Sequence, residues 1–188
     1  MDLMNTIRRA VRVGGFTMIE LVVTMTIVGI LAAIGVPSFK YITTSNRITS
    51  EINGLLGDLQ FARSEAVKQG LPVTVCASSD GATCNGGIDW ESGWIVFLDS
   101  NGDQSVQSAT EAVVRTQTKF TSTDTLRPSN GTFGAITFNR EGYATTNSTA
   151  TVTMLLHDST LNTQWTRCLA ITPVGALSTQ RVPTGNCT

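Results

Sequence analysis

Gly14-Gly15-Phe16-Thr17-Met18-Ile19-Glu20-Leu21 opens the stretch that decides the fold, and it runs on through Val22-Val23-Thr24-Met25-Thr26-Ile27-Val28-Gly29-Ile30-Leu31-Ala32-Ala33-Ile34-Gly35-Val36 to Pro37. From Leu21 to Val36 there is no charged residue, a length at the short end of what crosses a hydrocarbon core as a helix. Ahead of it, residues 1–15 carry Arg8, Arg9 and Arg12 against one acid, Asp2. Arginines on that side predict that the start stays in the cytoplasm and that the chain beyond the span lies outside it.

Two ordinary explanations fit this stretch poorly. A cleaved secretory signal carries its small residues after the apolar core, where cleavage occurs; here the Gly14-Gly15 pair precedes the core. Cutting at Gly15 would leave the apolar helix on the mature chain. A plain membrane anchor accounts for the span but not for Glu20, because a carboxylate at membrane depth is costly and is usually kept for function.

After Pro37 the pattern stays helical but becomes amphipathic. Ile48, Ile52, Leu55, Leu59, Ala62 and Ala66 recur every three to four residues, with Arg47, Glu51, Asp58, Arg63 and Lys68 falling largely between them. Gly54 and Gly57 weaken this helix, and Gly70-Leu71-Pro72 ends it. A helix from Thr17 to Gln69 would be roughly 80 Å long at the usual rise per residue. Its first half would lie in lipid or in an assembly core, and its second half under a head domain. Gly29, Gly35 and Pro37 predict a kink or a melted turn, since Pro37 removes a backbone donor and crowds the preceding turn.

From Pro72 onward the sequence reads as β. Predicted strands are Val73–Ala77, Trp94–Leu98, Ala112–Lys119, Ala135–Asn139, Thr151–Leu156 and Arg167–Thr172. Turn signals stand at Asp80-Gly81, Asn85-Gly86-Gly87, Asn101-Gly102, Asn130-Gly131 and Glu141-Gly142. The polar stretch Thr121 to Asn130 reads as a surface loop. One long helix and then strands is an α+β order, without the alternation of a parallel sheet.

Cys76, Cys84, Cys168 and Cys187 all lie beyond the span. Outside the cytoplasm disulfides are expected, and four cysteines allow three pairings. Cys76–Cys84 with Cys168–Cys187 is favoured, because each closes a short loop within one region. Zinc is disfavoured, with no Cys-x-x-Cys pair and one histidine, His157, which is expected at a strand end.

Charged residues are 14% of the chain and the formal charge is −1, values that suit neither a nucleic-acid binder nor a disordered tail. Asp99-Ser100-Asn101-Gly102-Asp103 faintly resembles the start of a calcium loop, but the twelfth position is Thr110, so a turn is the plain reading. No Gly-x-Ser-x-Gly and no phosphate-binding glycine loop occur, and a lone histidine offers little for a triad. The sequence predicts no enzyme, no cofactor and no metal. Trp90 and Trp94, beside strand residues, are expected in the core.

Gly15-Phe16-Thr17-Met18-Ile19-Glu20-Leu21 resembles the class III signal of type IV prepilins and type II secretion pseudopilins. Leu59-Gln60-Phe61-Ala62-Arg63-Ser64-Glu65-Ala66, Val75 to Gly81 and Ile88 to Phe97 are similar to the GspH/FimT group of minor pilins. This resemblance covers nearly the whole chain. It implies a type IV pilin-like fold, with a leader over 1–15, a membrane-spanning and filament-core helix over 16–39, an amphipathic helix over 40–70 and a β-rich periplasmic head over 71–188. It also implies that a prepilin peptidase of the inner membrane cuts between Gly15 and Phe16 and methylates the Phe16 amine. Glu20 would pair with the N-terminal amine of a neighbouring subunit, and the partners would be other pilins in the filament. A buried carboxylate in lipid needs such an ionic partner.

Within the family three roles are open: a FimT/FimU-type minor pilin that initiates type IV pili near the tip, the corresponding minor pseudopilin of a type II secretion system, and a DNA-uptake pilin. Some FimT-like pilins bind DNA through a C-terminal Gly-Arg-x-Arg element, and the matching place here reads Gly175-Ala176-Leu177-Ser178, with Arg181 and Arg167 nearby. Loss of Asp2, Arg8, Arg9 and Arg12 on cleavage lowers the formal charge by two, from −1 to −3. DNA binding rests mainly on Lys and Arg at phosphates, so it is not expected. The cysteine pairs and the Cys187-Thr188 ending look more like the pilus group.

Overall fold

The computed structural model describes residues 15–107, 109–129, 133–146, 149–181 and 187. Asp2, Arg8, Arg9, Arg12 and Gly14 of the expected leader, and the turn signal Asn130-Gly131, lie outside them.

One helix, α1 (Met18–Gln69), comes first, and nine strands come after it: β1 (Val73–Ala77), β2 (Gly93–Leu98), β3 (Val113–Thr118), β4 (Thr125–Pro128), β5 (Ala135–Phe138), β6 (Ala144–Thr145), β7 (Val152–His157), β8 (Arg167–Ile171) and β9 (Leu177–Arg181). The chain divides into two compact units between Ile42 and Thr43. The first contains the apolar part of α1. The second holds the rest of α1 and both sheets.

In the first unit the helix is unbroken through Gly29, Gly35 and Pro37, so the expected melted turn does not occur there. Every residue from Gly15 to Thr43 is exposed. The hydroxyls of Thr24 and Thr26 donate to the carbonyls of Leu21 (2.9 Å) and Val22 (2.8 Å). Hydroxyls satisfied by their own helix in this way do not face lipid as orphan donors. By length and composition this helix is apolar enough to cross a membrane.

In the second unit the amphipathic stripe faces inward. Ile48, Ile52, Leu55, Leu59, Ala62 and Ala66 are all buried. They join one core with Val73, Val75 and Ala77 of β1, Val96 of β2, Ile136 and Phe138 of β5, Met154 and Leu156 of β7 and Leu169 and Ile171 of β8. Gly70, at φ 69°, turns the chain out of the helix while its N–H still donates to Ala66 (2.9 Å), the usual left-handed helix ending.

Two antiparallel sheets receive the helix. One runs β3-β2-β1-β5-β6 and the other β4-β7-β8-β9. In β1 and β2 alternation splits the side chains between two clusters, because successive residues point to opposite faces. Val73, Val75, Ala77, Trp94 and Val96 join the main core; Cys76, Ile95 and Phe97 form a second small cluster on the far face, with Cys84, Val106, Val113 and Ala135 against it. The central strands are therefore buried on both sides.

The stretch Thr121 to Asn130 is not all loop, contrary to the sequence expectation. Its Thr125–Pro128 pairs with β7, Leu126 opposite Leu156, and Leu126 is wholly buried. Tertiary pairing overrides a polar local sequence here. As an edge strand β4 tolerates Pro128.

Candidate assembly site

The start of α1 is built by a capping arrangement. Thr17 precedes the helix, and its hydroxyl accepts from the Glu20 N–H (3.2 Å) while its carbonyl accepts from the Leu21 N–H (3.2 Å). Thr-x-x-Glu is the spacing of a capping box, and Glu20 stands in the first turn, where the helix dipole favours an anion. Phe16, Met18 and Ile19 beside it are 80%, 87% and 69% exposed. The structure thus places Gly15, Phe16 and Glu20 together at the head of an uncovered apolar helix. Thr17 joins them as the cap, a role whose one signal in the sequence is the Thr-x-x-Glu spacing.

The head is fastened to the amphipathic part of α1 by polar anchors that no sequence pattern announces. Asp58 accepts from the Trp94 indole N–H (2.8 Å) and from Arg115 of β3 (3.0 Å), and the Arg115 guanidinium lies 3.8 Å from the centroid of the Phe61 ring. Arg47 pairs in bidentate fashion with Asp124 (2.7 and 2.9 Å). A planar guanidinium matched to a carboxylate is the geometry that makes such pairs directional. These partners are 36 to 77 residues apart in the chain, beyond the reach of any local pattern.

Disulfides join Cys76 to Cys84 and Cys168 to Cys187, with Cα separations of 5.6 and 5.8 Å. The first ties a loop over the far face of β1. Asp80 shapes that loop by accepting from the Ala82 and Thr83 N–H groups (both 2.9 Å), and these bonds hold its carboxyl well below the ordinary range. Trp90 and Trp94 are buried, and each meets an aromatic partner edge-on, Phe133 and Phe120 respectively. His157 ends β7.

Asp99 and Asp103 of the calcium-like stretch come together with Glu111, their carboxylate oxygens within 4.8 Å of one another. All three carboxylates already have donors on both oxygens. Asp99 takes the N–H groups of Gly102, Asp103 and Gln104 and the Thr74 hydroxyl; Asp103 takes Ser105, Asn101 and Gln107; Glu111 takes Ser100 and Gln107. This is a turn organised by its own acids.

Gly175 lies in the turn between β8 and β9 at φ 75°, where a Cβ would stand 2.1 Å from the Gly142 carbonyl oxygen. Arg63 reaches this turn from α1, but it donates to the carbonyls of Gly142 (3.0 Å) and Val174 (3.4 Å). A cleft of about 690 Å³ lies beside it, lined by Gln60, Arg63, Ser64, Val67, Lys68 and Gly175–Leu177. Arg167 is buried, and Arg181 ends β9.

A capped, exposed apolar helix that continues under a two-sheet, disulfide-bonded head defines a pilin-type subunit. The family described as type II transport protein GspH matches residues 51–175, and the prokaryotic N-terminal methylation motif matches residues 11–36. Two crystal structures of the type IV minor pilin FimU of Pseudomonas aeruginosa share the fold. One has a TM-score of 0.54 and 24% identity, covering 70% of this chain and 91% of that one; the other has a TM-score of 0.54 and 21% identity, covering 77% and 98%. No curated protein matches the chain by sequence. The chain belongs to the GspH family, the minor pilins and pseudopilins of type IV pili and type II secretion systems.

Proposed function

We propose that this protein is a minor pilin that enters a type IV pilus and helps to initiate its assembly near the tip. The observation that carries this reading is the start of α1: a capped glutamate at the head of a helix whose side chains are all exposed as far as Thr43. Exposed apolar surface on that scale calls for lipid first and neighbouring subunits later. The chain would be cut between Gly15 and Phe16 by a prepilin peptidase, Phe16 would be N-methylated, and Glu20 would take the N-terminal amine of the next subunit. Residues 1–15 would be the leader, 16–39 the membrane and filament-core helix, 40–70 the amphipathic helix and 71–188 the periplasmic head, on a subunit held in the inner membrane before assembly. Pro37 would let the helix bend within the filament. The protein would act by assembly, without catalysis.

A minor pseudopilin of a type II secretion system is the second reading, favoured by the family's own description. DNA uptake has less support. The turn at Gly175 presents no arginine of its own, and Arg63 beside it is bound to backbone carbonyls.

Intact mass and N-terminal sequencing of protein from membranes and from sheared filaments test the proposal. A start at N-methylated Phe16, with the protein present in sheared pili, is expected. A start at Met1, or a cut beyond the apolar stretch, would overturn it. Glu20→Ala is expected to leave the head folded and to abolish incorporation; incorporation at the wild-type level would remove Glu20 from the assembly role. Recovery from secretion pseudopili instead of pili would favour the second reading.

A further inference from the structure

Among the described residues, one carboxylate has a buried oxygen with no donor. Arg47 and Glu51 lie one turn apart on α1 and both reach the segment between β3 and β4. Arg47 gives two hydrogen bonds to Asp124, whose side chain is fully buried. Glu51 accepts from the Ser122 hydroxyl (2.8 Å) at Oε1, while its Oε2 is buried with no donor. A proton on Oε2 would end that mismatch, because the neighbouring Asp124 carboxylate can accept a hydrogen bond from it.

We propose that Glu51 is a proton-operated latch holding the Thr121–Asp124 segment against α1. Protonated, Glu51 donates from Oε2 to Asp124, and both of its oxygens are satisfied. Ionised, Glu51 keeps the Ser122 hydrogen bond but is repelled by the Asp124 carboxylate beside it, and the segment is loosened. Like charges at that range cannot both be held without cost.

The groups that face Glu51 are few. On α1 there is Arg47; from the segment, Ser122 and Asp124; from the end of β3, Lys119 lines the same cleft of about 290 Å³; Asp158, after β7, acts on Arg47. His157 touches the Thr125 hydroxyl, one residue from Asp124 (3.0 Å). Burial raises the Glu51 carboxyl, the Ser122 hydrogen bond opposes, and Asp124 raises it further, to about 7. A carboxyl raised above its usual 4.5 contributes stability that is full below that value and is lost as pH rises through about 7. Loosening would uncover the edge contact of Phe120 with Trp94, since Phe120 immediately precedes the segment and both rings line the cleft.

The test uses the full-length chain in detergent micelles with carboxyl-labelled glutamate, titrated by carbon NMR, and hydrogen exchange at residues 120–124. One glutamate midpoint near 7, absent from Glu51→Gln, is expected. In wild type, exchange over the segment should rise about tenfold more between about pH 6 and pH 8 than in Glu51→Gln, whose amide donates to Asp124 at every pH. Asp124→Asn should lower the Glu51 midpoint only in part, because burial remains, and His157→Gln should leave it in place. A Glu51 midpoint in the ordinary glutamate range, or an equal rise in exchange in Glu51→Gln, would overturn the latch; so would a midpoint that moves with His157→Gln alone.

Discussion

Asp99 shows how a single side chain can organise a turn that looks like something else in sequence. It is fully buried and accepts four hydrogen bonds, from the Thr74 hydroxyl and three successive backbone N–H groups. Removing it strands those donors, and bonds to a charged acceptor are the stronger kind. Asp99→Ala is expected to destabilise the protein by about 3 kcal/mol in urea unfolding monitored by tryptophan fluorescence. Calcium is expected to leave the Tm of the wild type unchanged, because a cation would have to displace these donors. A clear rise in Tm with calcium would show that the carboxylates prefer the metal.

At the scale of elements, α1 carries two glycines that the head does not require. A Cβ at Gly54 or Gly57 would meet nothing within 4 Å, and both lie in the helix interior. Gly54→Ala is expected to raise stability by about 0.5–1 kcal/mol, the usual helix-interior difference. If thermal unfolding shows no gain while filament incorporation falls, the glycine serves close approach of a neighbour. Leu126→Ala should cost about 2–4 kcal/mol, since the side chain is wholly buried opposite Leu156. That cost would mark β4 as a core strand despite its polar surroundings.

The same elements show which parts of the fold are legible in the chain. The period of Ile48, Ile52, Leu55, Leu59, Ala62 and Ala66 names the buried face of α1 residue by residue. Val73–Ala77 stands out because β-branched residues lie between Pro72 and a glycine turn, and glycines 81, 86, 102 and 142 do adopt positive φ. The strands not foreseen have little apolar signal to give. β4 buries one large side chain, β6 has two residues, and β9, Leu177-Ser178-Thr179-Gln180-Arg181, is mostly exposed at a sheet edge. Their identity comes from the neighbour they pair with. At the candidate site, the motif around Phe16 and Glu20 is readable because it is contiguous in the chain. The anchors Asp58–Arg115 and Arg47–Asp124 are not, because each joins residues brought together only by the fold.

At the scale of the whole molecule, the head's stability rests on one core shared by helix and sheets, closed by two covalent ties. The Cys76–Cys84 loop sits against Ile95 and Phe97, and the Cys168–Cys187 bond fastens the chain beyond β9 to β8. Loops of this size constrain the unfolded chain by about 2–4 kcal/mol each. Reduction is therefore expected to lower the Tm markedly. The Cys76→Ser, Cys84→Ser double variant should additionally increase binding of an apolar dye, as the far face of β1 and β2 loses its cover. Unchanged dye binding would mean that Val106 and Val113 cover that face without the tie.

If the head is exported as proposed, the spacing of the cysteines would also set an order of events on the way out. Cys76 and Cys84 are 8 residues apart and emerge almost together, whereas Cys168 comes much later and waits a further 19 residues for its partner. An oxidase acting on the emerging polypeptide meets the first pair alone and can seal it before a competing thiol arrives. A chain lacking Cys84 alone would keep Cys76 available as a nucleophile when Cys168 appears. Such a chain is expected to accumulate as a mispaired, protease-sensitive species, while one lacking both early cysteines would escape that fate.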